Sequence, residues 1–197
     1  MAETLTPASP LANLRERFAA SPAAVAIAEE PFLAMIDLWV DPAGPGGATA
    51  RDALGFDLPV APSSSVTVGA TSAIRLGPQE WLVAGRPASP ASLEADLHAA
   101  VGVHGGAAVD VSGQRTALRL TGSRVRDVLA KGCSIDLHPR VFRAGAAVQT
   151  MLGLAAVILI ALDDNGTDYR VLVRASFARY LAEWLLDATA EFAAPPA

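Results

Sequence analysis

Cys133, Asp136 and His138 stand close together in the segment Cys133-Ser-Ile-Asp-Leu-His-Pro-Arg140. A thiolate beside an imidazole is a nucleophile, and thiol, imidazole and carboxylate are all zinc ligands. The segment offers neither a second histidine nor a fourth ligand at zinc-like spacing. Closeness in sequence also does not hold a base within hydrogen-bond reach of a thiol. The favoured expectation is a small, buried Cys133 and a His138 that hydrogen-bonds its own loop or a partner.

The other candidates lead back to structure in the same way. Gly102-Val-His-Gly-Gly106 is glycine-rich but lacks the G-x-G-x-x-G spacing and the lysine of a phosphate cradle, so it predicts a turn. His98 and His104 flank the end of a helix, where a cationic imidazole suits the dipole. Asp163-Asp-Asn-Gly166 has carboxylates but not the ligand order of a calcium loop, and Asn-Gly between apolar runs signals a hairpin. Trp39, Trp81 and Trp184 are expected in the core or at an interface. Arg115, Arg119, Arg124 and Arg126 cluster in sequence as a solvated basic edge or a face toward a partner.

The 197 residues suffice for one domain or two small halves sharing a core, given roughly 100 to 200 residues per domain. The net charge of −5 argues against nucleic-acid binding, which calls for a basic face. Charged residues make up 18%, fewer than the usual quarter or so, which suggests that part of the surface is covered. A lone cysteine forbids an intramolecular disulfide, and Met1 to Pro7 has no basic or apolar leader pattern, so the cytoplasm is the expected location. The longest apolar run, Leu154 to Leu162, falls well short of the roughly 18 residues a membrane span needs and predicts a buried strand.

These residues must be positioned by elements that the spacing largely spells out. Residues 1–31 are expected to be an N-terminal arm with a turn or two of helix at Leu11, Leu14 and Phe18, lying on the body or on a partner. A first half over 32–106 has strands at Phe32 to Val40, Val66 to Val68, Ser72 to Leu76 and Glu80 to Ala84. It has a short helix at Thr49 to Leu54 stopped by Gly55, and a helix started by Ser89-Pro90 and continued by Leu93, Leu97 and Val101. A second half over 107–192 has strands at Ala107 to Val111, Arg115 to Leu120, Val148 to Leu152, Val157 to Leu162 and Tyr169 to Val173.

In that half Ser123 and Gly132 are the expected N-cap and left-handed C-cap of a helix carrying Val125, Val128 and Leu129. The closing helix, Ser176 to Phe192, places Phe177, Tyr180, Leu181, Trp184, Leu185 and Ala188 on one face toward the sheet. Residues 193–197 are expected to be a disordered tail. Strands and helices in this order predict an α+β fold of two ferredoxin-like halves, with antiparallel sheets and helices packed on them.

The blocks Ser9-Pro-Leu-Ala-Asn-Leu14, Leu76-Gly-Pro-Gln-Glu-Trp-Leu82, Asp110 to Arg140, Gln149-Thr150 and Leu172 to Leu181 together resemble the gamma subunit of heterotetrameric sarcosine oxidase. Leu118 to Leu129 also resembles the folate-binding aminomethyltransferase fold of the glycine-cleavage T-protein. The resemblance implies a non-catalytic structural subunit of a complex that oxidatively demethylates sarcosine and passes the one-carbon unit to tetrahydrofolate on the alpha subunit. It implies alpha, beta and delta partners, chiefly alpha, which hold FAD, FMN, NAD, tetrahydrofolate and zinc, with no cofactor in this chain. Alternatives are a free-standing folate-binding or aminomethyltransferase-like protein, for which Asp110 is a weak folate contact, and the equivalent subunit of a related N-methyl amino acid dehydrogenase. A partner interface is expected at Leu11, Leu14, Arg115, Ile135, Asp136, Leu137, His138 and Arg140.

Overall fold

A computed structural model describes residues 7–86 and 90–193. Strand β1 spans Ala26–Glu30, β2 Ala34–Trp39, β3 Ser65–Val68, β4 Thr71–Gly77, β5 Glu80–Gly85, β6 Ala107–Asp110, β7 Arg115–Thr121, β8 Ala147–Leu152, β9 Ala155–Ala161 and β10 Asp168–Arg174. Helices are α1 Arg15–Ala19, α2 Pro45–Leu54, α3 Pro90–Gly102, α4 Val125–Ala130 and α5 Ala175–Thr189. Ser89, the expected cap of α3, and most of the expected tail lie outside the described residues.

Two five-stranded antiparallel sheets form, in the orders β3-β4-β5-β2-β6 and β8-β9-β10-β7-β1. Written this way the sheets match strand for strand. In the first, α2 leads from β2 to the far edge strand β3, β5 returns between β4 and β2, and α3 brings the chain to β6 beside β2. In the second, β10 lies between β7 and β9, and among the described residues no strand follows α5. The fifth position, beside β7, is taken by β1 from the N-terminal segment. Residues 26–30, expected in the arm, are therefore an edge strand of the second sheet.

Two observations explain how that strand docks. Ile27 on it and Val25 just before it are buried, and the Glu30 carboxylate reaches Arg170 on β10 in a fork of 2.5 and 2.9 Å, which ties the edge across β7. Gly122, at φ +131°, leaves room at the end of β7. A Cβ there would lie 2.3 Å from the Ala24 carbonyl oxygen, to which the Arg124 amide donates at 3.0 Å. The sequence Ala-Ile-Ala-Glu-Glu has little intrinsic strand preference, so tertiary contacts decide this element.

Side chains alternate between two faces of each strand. On the first sheet Ile36, Leu38, Trp81 and Val83 pack with Leu97 and Val101 of α3, while Met35, Leu82 and Ala84 turn to the opposite face. On the second, Leu118, Leu120, Val157, Leu159 and Val171 pack with α4 and α5, while Ala117, Ile158, Ile160 and Leu172 meet the first sheet. The layers are therefore helix, sheet, sheet, helix.

Helix ends and faces differ from expectation in three places. The residue capping α4 is Arg124, with no side-chain cap, so Ser123 does not play that role. Gly132 does not take the left-handed conformation. It is needed because a Cβ would meet the Trp184 ring at 2.6 and 2.7 Å and the Gly153 amide nitrogen at 2.8 Å. On α5 the buried face centres on Ala178, Leu181, Ala182 and Leu185, leaving Phe177 and Tyr180 exposed. Alanines at the contact allow the helix to lie close to the sheet, and the larger rings move to its flank.

Candidate functional site

The loop from Cys133 to Arg140 is anchored inward. Cys133 and Leu137 are buried in the core beneath α4 and α5, and Ile135 packs against the same cluster. The Asp136 carboxylate accepts from the His138 amide at 2.8 Å, and His138 Nδ1 accepts from the Arg140 amide at 3.2 Å. The carbonyl of His138 accepts from both Val141 and Phe142, and Phe142 stacks on Tyr169. The imidazole thus organises its own loop. Asp136, His138 and Arg140 present a polar tip to solvent.

Leu11 and Leu14 also belong to this core, at 0% and 4% exposure, and Leu137 is equally enclosed at 4%. These three residues of the expected interface are covered by the chain's own side chains, because the N-terminal turn folds over the second sheet with Phe18. Arg115 lies elsewhere, on the inter-sheet face of β7. The eight expected residues therefore do not converge on one exposed patch.

The remaining candidates find structural places. Asp163 accepts from the amides of Gly166, Thr167 and Asp168 and from the Thr167 hydroxyl, closing the β9-β10 hairpin. Burial opposes its charge, but these hydrogen bonds outweigh it and hold the carboxyl below its ordinary value. Asp110 accepts from the amide and hydroxyl of Ser112 at the turn after β6. Trp81 is buried with its indole donating to the Pro59 carbonyl at 2.9 Å, Trp184 is half-buried over Gly132, and Trp39 is exposed. Arg119 pairs with Asp168 at 2.6 Å, and Arg124 pairs with Asp127 at 2.7 Å. Among the described residues no group of three or more His, Cys, Asp or Glu is placed to hold a metal.

A different set does converge, at one end of the space between the sheets. Apolar residues fill most of that layer, but towards the start of β7 and the end of β10 it opens into a cleft of about 450 Å³. Arg115, Gln149, Met151, Ile158, Leu172 and Arg174 line it. Gln149 crosses the gap, donating to the Leu76 carbonyl at 3.0 Å. Arg115 and Arg174 are direct cross-strand partners, so two guanidinium groups stand side by side on one face.

Facing them on the first sheet are Asp37 and Glu80. Burial raises the Glu80 carboxyl above its ordinary value, with Asp37 adding to the effect and Arg115 opposing it. Burial and then the Arg174 charge lower the Arg115 pKa, while Asp37 and Glu80 work the other way. One carboxylate oxygen of Asp37 is buried without a hydrogen-bond partner. No described carboxylate lies within ion-pair distance of Arg115 or Arg174.

Leu76, Glu80, Arg115, Gln149, Thr150, Leu172 and Arg174 all come from the separated blocks that carried the resemblance, and the fold gathers them at or beside this opening. A model of the sarcosine oxidase gamma subunit family matches residues 39–191. The chain belongs to that family. A sarcosine oxidase gamma subunit of Corynebacterium sp. strain U-96 is 36% identical over 172 residues, covering 87% of this chain and 82% of the relative. The solved heterotetrameric sarcosine oxidase from Corynebacterium sp. U-96, in complex with pyrrole 2-carboxylate, contains a chain that matches at a TM-score of 0.88 and 34% identity. The match covers 97% of this chain and 98% of that one. The glycine cleavage system aminomethyltransferase T of Bartonella henselae matches at a TM-score of 0.60 and 14% identity, over 88% of this chain and 48% of that one. That likeness shows the fold alone, as the aminomethyltransferase-like expectation anticipated.

Proposed function

We propose that this chain is a non-catalytic, structural gamma subunit of a heterotetrameric sarcosine oxidase. In that assembly alpha, beta and delta subunits carry out oxidative demethylation of sarcosine and pass the one-carbon unit to tetrahydrofolate on alpha. The single observation carrying the proposal is the match, over nearly the full length of both chains, to a chain of a solved heterotetrameric sarcosine oxidase. The local chemistry supports the structural role. Cys133 is buried among apolar side chains, and Asp136, His138 and Asp110 hold the backbone of their own turns. FAD, FMN, NAD, tetrahydrofolate and zinc then belong to the other subunits, and the chain works in the cytoplasm. No helix among the described residues is long and apolar enough to cross a membrane.

The test is to express the chain alone and with its neighbouring genes, then to measure co-purification, flavin absorbance, sarcosine oxidation and folate binding. The expected result is a colourless chain that joins a flavin-containing complex active on sarcosine. Folate binding at micromolar concentration by the isolated chain would overturn the structural role in favour of a free-standing folate protein. A complex that prefers another N-methyl amino acid would keep the subunit role and replace the substrate.

A further inference from the structure

The cleft continues outward onto an apolar surface. Met151 lines its mouth, and β8 then turns through Gly153 and Leu154 into β9. The tip of this hairpin is clamped to the helix layer. The Gly153 amide donates to the Gly132 carbonyl at 3.0 Å, and the Leu154 amide donates to the Tyr180 hydroxyl at 3.0 Å. Phe177 stands one turn before Tyr180 on the same side of α5, and Arg174 immediately precedes that helix. Met151, Leu154, Phe177 and Tyr180 remain 46, 75, 45 and 37% exposed.

This composition is unlike ordinary surface. Aromatic residues, Met and Arg are the types enriched at the centres of protein interfaces. The clamped backbone also presents them on a fixed surface, which lowers the ordering cost of binding. Beside the apolar group stand two guanidiniums whose direct opposition is unfavourable within this chain. Asp37 and Glu80 act on Arg115 from across the cleft, which leaves Arg174 as the outer cation with no described carboxylate in ion-pair reach.

We propose that this surface docks another subunit of the complex through an apolar segment that seats on Met151, Leu154, Phe177 and Tyr180 and places an Asp or Glu side chain against Arg174 and Arg115. The inference rests on the subunit role proposed above and locates its contact. Charge complementarity selects an acidic partner residue, since a carboxylate between the two arginines relieves their repulsion and can accept from both.

Arg174→Glu and Leu154→Asp separate this role from a folding role, because both positions are exposed. The full chain carrying either change is co-expressed with the other subunits. Assembly is then measured by titrating purified gamma chain into gamma-free complex, and thermal melting is recorded on the isolated chain. Loss of a charge-paired contact is expected to weaken assembly by about 30-fold or more. The isolated Arg174→Glu chain should melt no lower than wild type, since it replaces a like-charged cross-strand pair with an opposite one.

Hydrogen exchange at 149–156 and 174–180 should slow in the complex. Wild-type affinity in both variants, with unchanged exchange there, would overturn the docking site while leaving the subunit role intact. A wild-type chain that joins no complex would overturn both. Concentration-dependent dimerisation of the isolated chain, abolished by Leu154→Asp, would assign the surface to a second copy instead.

Discussion

Replacing Leu11 with Ala distinguishes two roles for the N-terminal segment. As an interface residue, Leu11 would affect assembly and leave the isolated chain unchanged. In the structure its side chain is fully buried with Leu14, Phe18, Val25 and Ile27 against the second sheet. Truncating a buried leucine costs about 2–5 kcal/mol, the range reflecting how far the surroundings collapse into the space. For a chain of this size 1 kcal/mol shifts the melting temperature by roughly 2–4 °C, so the isolated variant should melt about 4–20 °C lower. Urea denaturation should give a lower midpoint with an unchanged slope. The exposed neighbour Asn13, changed to Ala, should stay within about 0.5 kcal/mol of wild type. A Leu11→Ala chain that melts within 1 °C of wild type yet fails to assemble would refute the packing of this segment on the second sheet.

Gly132→Ala should destabilise the isolated chain by about 1–3 kcal/mol, because the new methyl overlaps both Trp184 and the Gly153 backbone. If a left-handed cap were responsible instead, Asn would be tolerated better than Ala at this position, and denaturation of both variants decides. Gly122→Ala should be worse, at about 2–5 kcal/mol, since a positive φ and a carbonyl at 2.3 Å act together, and exchange should rise selectively along β1. Asp163→Asn should cost about 1–2 kcal/mol at neutral pH. Because the folded carboxyl titrates below its ordinary value of 3.8, the stability it adds is fully present above that pH and is lost as pH falls through the folded value. The gap between wild type and variant should therefore narrow only in acid, and a pH-independent gap measured by urea titration would exclude the ionised carboxylate as its source.

Periodicity and turn chemistry made most of the fold legible. Alternation over Ala117 to Gly122 marked β7 as a strand, the apolar run Leu154 to Leu162 marked β9 as a buried one, and Asn165-Gly166 marked the hairpin between β9 and β10. Separated blocks from Ser9 to Leu181 carried the family resemblance. The sequence also signalled that Cys133 is a core residue and that His138 serves its own loop or a partner, because the groups that chemistry would need were missing nearby, and the structure gives His138 to its own loop.

Other features depended on which distant residues meet. A strand of Ala and Glu has no pattern of its own, so β1 becomes a strand only where β7 offers an open edge and Gly122 makes room. Gly132 is explained by Trp184, fifty-two positions away, and not by the helix it follows. The spacing on α5 groups Phe177 and Tyr180 with its leucines, but close approach to the sheet gives the contact to Ala178 and Ala182 beside Leu181 and Leu185 and leaves the two rings outside. Leu11, Leu14 and Leu137 looked available to a partner until the fold buried them. The sequence by itself determined the elements from β2 onward, their order and the family, since these rest on local preference and on blocks read in sequence. Only the tertiary structure decided the completion of the second sheet by the N-terminus and the pairing of Arg115 with Arg174 side by side at a cleft, because both depend on contacts between segments far apart in the chain.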